Sequence, residues 1–352
     1  MKAYLMLEDG SVFEGTACGD FKETVFNTVF NTAMTGYFQI ITDKANLSDG
    51  VVFTYPLIGN QGVDLIKEKS LTPAVKAIIV RELCDFPTNP DKQMPLETYL
   101  TENEIPIIKD IDTRAIVRKL RDSGTMRGIL TDKIDENTLD KIKAYTSINL
   151  VEKASTKEIV KFDKDNNSLD IGIIDLGSSK AIVDTFISAN CKITLYPFNT
   201  KADEILNSHH DGIIISDGPG DPNDCKEIFE DIKTLAKSNI PMIAISLGHL
   251  VTALSFGAQV EKMKLGHRGA NFPVKNINNS RTYISSQNHG YIISEKNLPE
   301  TLQVSYINAN DKTIEGIVYS GLNLKTYQFL PEASDTKFII DEFLALVGGQ
   351  ND

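Results

Sequence analysis

The residues best suited to chemistry lie in the second half of the chain. Pro241-Met-Ile-Ala-Ile-Ser-Leu-Gly-His-Leu250 reads as a buried strand running straight into a helix, with Ser246 at the turn between them. A side chain on such a turn stands exposed, and the N–H groups opening the helix face the oxyanion that acyl transfer would create. The turn needs small neighbours; Gly248 is one, and Ala244 stands where glycine is commoner. The loop Asp217-Gly-Pro-Gly-Asp-Pro222, with Gly218 and Gly220 around Pro219, could present a second backbone donor. Gln287-Asn-His-Gly290 adds a polar turn, and Tyr327-Gln-Phe-Leu-Pro-Glu-Ala-Ser334 adds an acid, Glu332. A serine nucleophile depends on a base. His249 and His289 are the imidazoles in these segments, and either serves as readily in a structural role. Gly-Pro-Gly also makes tight turns in proteins generally. Each signal alone is weak.

The elements that must position these residues alternate. Ile171–Asp175 is an apolar strand and Ser179–Ala189 has helical spacing. Lys192–Tyr196 and Gly212–Ser216 read as strands with a helical segment between them, Asp224–Lys237 as a helix and Pro241–Ile245 as a strand. This alternation predicts an α/β domain with a parallel sheet flanked by helices. Sites in such sheets lie beyond the carboxyl ends of the strands, where the three motifs fall. Residues 1–150 instead mix short strands and turns with a few helices, which predicts a mixed α+β, β-rich domain. Asp112–Arg121 is one helix: Ile116, Val117 and Leu120 form an apolar face, Arg114, Arg118 and Arg121 a basic one, and Gly124 ends it. The polar run Lys161–Asp170 marks a linker, taken as 151–170, before a second domain at 171–352.

Composition narrows the class. With 352 residues, 41% hydrophobic and 24% charged, the chain suits two globular domains. A net charge of −12 without a basic stripe argues against nucleic acid and anionic membranes. The opening segment, expected to be a strand and turn, lacks the apolar core of a signal peptide, and no stretch approaches a membrane span. A cytoplasmic protein is expected. Cys18, Cys84, Cys191 and Cys225 form no C-x-x-C pair, and the five histidines show no metal-ligand spacing, so no metal is expected.

The combination of motifs is more specific than its parts. DGPGDP (217–222), SLGH (246–249), MKLGHRGANFPV (263–274), QNHGY (287–291) and PEAS (331–334) occur in this order, and the domain resembles class I glutamine amidotransferases. Within that group it is similar to the small subunit of carbamoyl-phosphate synthetase. FNTAMTGY (30–37), TYPLIGNQG (54–62) and DIDTRAIVRKLRDSG (110–124) resemble that subunit's N-terminal domain, so the likeness covers essentially the whole chain.

The resemblance implies a Cys–His–Glu triad that hydrolyses glutamine through a thioester. It also implies a large-subunit partner, holding ATP and Mg²⁺, that receives the ammonia for arginine or pyrimidine biosynthesis. No cofactor is expected in this chain. Matched residue by residue, the cysteine falls on Ser246, the histidine on Leu330 and the glutamate on Glu332. Leu250 stands where the family has a pocket glutamine. Leu47 matches a substrate-binding serine of the N-terminal domain, with Ser48 beside it as a possible substitute. Gly218, Gly220, Leu247, Asn288, Gly290 and Tyr291 keep the family's glutamine contacts. A serine hydroxyl is far less acidic than a thiol, and Leu330 neither accepts a proton nor protonates leaving ammonia. The expectation is a subunit without its own triad, with weak or absent glutamine binding, supporting an ammonia-dependent large subunit. Two alternatives stay open: a residual glutaminase in which Ser246 borrows His249 or His289, and a binding or regulatory paralogue detached from synthesis.

Overall fold

The computed structural model describes residues 1–19, 21–64, 71–89, 94–163 and 169–349. They form two compact units, Met1–Ser147 and Ile148–Asp352. Among the described residues, no helix is long and apolar enough to cross a membrane.

The first unit is built on a closed seven-stranded barrel in the order Lys2–Leu7, Val12–Cys18, Ile107–Lys109, Ala77–Ile79, Asp49–Phe53, Thr24–Asn31 and Met126–Thr131. Closure removes the sheet edges that a β-rich unit would otherwise expose. The helix Thr113–Ser123 begins where the Asp112 carboxylate accepts from the Ala115 N–H at 2.9 Å. It stops at Gly124, whose φ of 97° an L side chain rarely adopts. Ile116 and Leu120 are fully buried while Arg114, Arg118 and Arg121 are exposed, as the periodicity predicts.

The second unit carries a ten-stranded sheet. Cys191–Pro197, Leu169–Asp175, Gly212–Ile215, Met242–Ile245 and Leu324–Tyr327 run parallel in that spatial order. These are the strands read from the sequence, joined by a later one. Alternate residues face two apolar cores: Ile213, Ile215, Met242 and Ala244 enter one, Ile214, Ile243 and Ile245 the other. An antiparallel half follows, through Ile314–Tyr319, Leu302–Asn308, Val260–Asn276 and Thr282–Ile293. Gln287–Gly290 therefore lies inside a strand and is not a turn.

The expected linker is also corrected. Leu150–Ala154 is a short helix with Leu150, Val151 and Ala154 buried, and Val160–Phe162 pairs antiparallel with Ile193–Leu195. The polar composition that suggested a linker suits this edge strand, which is exposed along its length. Residues 169–170 already belong to the strand Leu169–Asp175, and 164–168 lie outside the described residues.

Candidate active site

The strand Met242–Ile245 ends at Ser246, and the helix Leu247–Ser255 begins at the next residue. Ser246 has φ 52° and ψ −107°, a conformation costly for a residue with a side chain. The fold holds it there through its neighbours. The Ser246 N–H donates to the Tyr327 carbonyl at 2.8 Å, and the Gly248 N–H to the Ser216 carbonyl at 3.1 Å. A Cβ at Gly248 would come within 2.5 Å of the Ile215 oxygen and 2.7 Å of the Ser216 oxygen, so only glycine fits. The strained turn of a nucleophile elbow is thus retained around a serine.

The loop 217–222 is equally constrained. A Cβ at Gly218 would sit 2.2 Å from the Leu176 oxygen, and Gly220 has φ 98°. The buried Asp217 carboxylate accepts from the Ser179 N–H at 3.1 Å. The Tyr291 hydroxyl donates to Asp221 at 3.0 Å, tying this loop to the strand that also carries Asn288 and Gly290. Burial, reinforced by the Asp221 charge, pushes the Tyr291 phenol far above its ordinary value and keeps it a neutral donor.

The second segment of the site continues from the neighbouring strand. Ile245 pairs with Tyr327, so Ser246 and the 328–332 segment leave the same carboxyl edge. Leu330 is fixed by its backbone: its N–H donates to the Ser286 carbonyl at 3.0 Å, and its carbonyl accepts from the Thr336 hydroxyl at 2.9 Å. Its side chain, 7% exposed, joins the apolar core containing Tyr327, Phe329 and Ile340. Glu332 is exposed and accepts from the Ser179 hydroxyl at 3.1 Å. The side chain two residues before Glu332 is thus a buried hydrocarbon.

Two histidines lie on the neighbouring elements. His249 is fully buried with Nδ1 2.7 Å from the Thr326 hydroxyl, and burial pushes its pKa down to about 3. His289 faces the Tyr291 carbonyl through Nδ1 at 3.0 Å and Gln287 Oε1 through Nε2 at 3.1 Å; burial holds it well below the usual imidazole range. Both are weak bases, and among the described residues neither is hydrogen-bonded to Ser246. The four cysteines are free, and burial raises the Cys18 and Cys191 thiols to about 11 and Cys225 to about 12, so these three remain protonated.

The leucines at the matched positions are placed as follows. Leu247 and Leu250 enter the core on one face of the sheet and Leu330 the core on the other. Leu47 lies in the first unit, half-buried at the end of a 3₁₀ turn over Lys44–Asn46. The Ser48 hydroxyl is engaged, accepting from Asn27 at 3.0 Å and donating to Asp49 at 3.1 Å. Sequence spacing also missed one constellation. His267, His289 and Glu315 come from three strands and meet in the interior.

A parallel sheet, a strained elbow at the end of its central strand and a Gly-rich loop beside it define a class I glutamine amidotransferase domain. Residues 172–345 match that family, Glutamine amidotransferase class-I. Residues 5–130 match Carbamoyl-phosphate synthase small chain, CPSase domain. The chain is 41% identical over 350 residues to the carbamoyl phosphate synthase small chain of Clostridium perfringens, covering 98% of this chain and 99% of that one. It is 40% identical to that of Caldanaerobacter subterraneus, over 99% of this chain and 97% of its relative. The Listeria monocytogenes small chain is 39% identical over 100% of this chain and 98% of its own length. The chain belongs to the carbamoyl-phosphate synthase small-chain family.

Proposed function

We propose that this small subunit has lost glutamine hydrolysis and supports a large subunit that makes carbamoyl phosphate from free ammonia. The observation that supports the reading is the buried hydrocarbon of Leu330, at the position that the family resemblance matches to the base. Without an imidazole there, the Ser246 hydroxyl has no group to take its proton during attack and none to protonate departing ammonia. The backbone donors of the elbow remain, but an oxyanion hole without a working nucleophile supplies only a small part of the rate. Leu250 and Leu47 remove two polar partners from glutamine's positions, so its binding is weak.

The retained barrel unit favours a role in complex formation, because it serves no chemistry of its own in this reading. ATP and Mg²⁺ belong to the large subunit, and the assembly works in the cytoplasm. The test is to mix the purified chain with its cognate large subunit and supply either glutamine or ammonium. Carbamoyl phosphate from ammonium only is expected, with more formed than by the large subunit alone. Glutamate released from glutamine well above a protein-free control would overturn the loss of hydrolysis. Failure of the two chains to copurify would overturn the supporting role.

A further inference from the structure

The interior cluster formed by His267, His289 and Glu315 has hydrogen-bond demands that its own atoms do not meet. His289 Nδ1 lies 3.0 Å from the Tyr291 carbonyl, which only accepts, so Nδ1 carries the ring proton. Nε2 then presents a lone pair, and it faces Gln287 Oε1, another acceptor, at 3.1 Å. The Gln287 amide nitrogen donates to Glu315 Oε2 at 3.0 Å and to the Ser285 hydroxyl at 3.2 Å. Turning that amide over would satisfy His289 but set its carbonyl against the Glu315 carboxylate. The conflict moves and does not disappear.

His267 repeats the pattern. Its Nε2 lies 2.8 Å from Asp311 Oδ2, while its Nδ1 is buried without a hydrogen bond, 3.6 Å from Glu315 Oε1. One candidate ligand atom from each of His267, His289 and Glu315 falls within 4.8 Å of the others. His267 is 7% exposed, His289 6% and Glu315 0%. Lone pairs turned on one another in an interior need a proton or a metal ion between them.

We propose that His267, His289 and Glu315 bind one divalent metal ion of the zinc class, with the Gln287 carbonyl as a fourth donor. Two imidazoles, a carboxylate and an amide oxygen suit zinc-type ions better than magnesium or calcium, which prefer all-oxygen shells. Ligands about 2.0–2.1 Å from a tetrahedral ion stand roughly 3.4 Å apart, so the 3.6 Å His267–Glu315 pair is already near ligand spacing. Asp311 on His267 and the Tyr291 carbonyl on His289 are the outer partners that fix which ring nitrogen is free. The buried site leaves no path for substrate. The ion is structural: it pins three strands, including the one carrying Asn288, Gly290 and Tyr291.

The test uses the full chain, stripped with a chelator and titrated with zinc by calorimetry and with cobalt by visible absorption. One saturable ion per chain is expected, with the intense visible bands of a four-coordinate cobalt centre. Asp311→Asn, at a partly exposed position, should weaken binding about 10- to 100-fold. Glu315→Gln should weaken it at least as much. His209→Asn, at an exposed histidine outside the cluster, should leave it unchanged. Absence of saturable binding would overturn the site and leave a proton on His267 as the charge the cluster requires. Binding undiminished in Asp311→Asn and Glu315→Gln would do the same. Should Glu315→Gln fail to fold, the Asp311→Asn titration decides alone.

Discussion

Glutamine hydrolysis should return only when nucleophile and base are restored together. Ser246→Cys alone places a thiol at a helix N-terminus, which lowers its pKa. No imidazole is hydrogen-bonded there, however: His249 Nδ1 faces Thr326, and His289 lies between Tyr291 and Gln287. Loss of a core triad member costs on the order of 10⁶ in turnover in a serine hydrolase, so the single variant should stay close to background. Adding Leu330→His puts a ring on a backbone already fixed by Ser286 and Thr336, two residues before Glu332. General acid–base catalysis then contributes about 10²- to 10⁴-fold over the single variant. The exchange also removes a leucine that is 7% exposed, forfeiting about 1.5–3 kcal/mol of apolar burial. For a unit of this size that lowers Tm by about 3–12 °C, less whatever a hydrogen bond to Glu332 restores. The assay is glutamate release under saturating glutamine, with thermal melts alongside; adding Leu250→Gln should then lower KM. A single Ser246→Cys variant within tenfold of the double variant would refute the assignment of Leu330 to the base position.

Two further outcomes follow from the packing and the titrating groups. Gly248→Ala should destabilise the second unit by roughly 1–3 kcal/mol, since its Cβ would meet two carbonyl oxygens inside 3 Å; an unchanged denaturant midpoint would contradict the close approach. His249 is neutral when folded, with its pKa lowered from 6.5 to about 3, so between those values the unfolded chain binds more protons. Its contribution is therefore full above about pH 6.5 and is lost as pH falls towards 3, with a slope of up to about 1.4 kcal/mol per pH unit. His249→Gln should flatten the stability–pH curve in that window, measured by denaturant midpoints, and an unaltered slope would count against the buried neutral ring.

Local signals made the central architecture legible. The apolar runs at 171–175, 212–216 and 241–245 are too short and too continuous for helices, and each proved a parallel strand. Asp112 and Gly124 bracket a helix because capping and positive φ are short-range demands. The antiparallel half was not legible. Gln287-Asn-His-Gly reads as a turn by composition, and only its pairing with Gly269, Arg268 and His267 makes it a strand. The segment 160–162 likewise became an edge strand because Ile193–Leu195 offered it an open ladder.

The sequence by itself determined the family and the strand-to-helix turn at Ser246, and that residue 330 is a leucine, which cannot carry a proton. Only the tertiary structure decided that His249 and His289 are buried and weakly basic. Only it brought His267, His289 and Glu315 into one interior cluster. Basicity and ligation depend on desolvation and on neighbours distant along the chain, and strand pairing sets both.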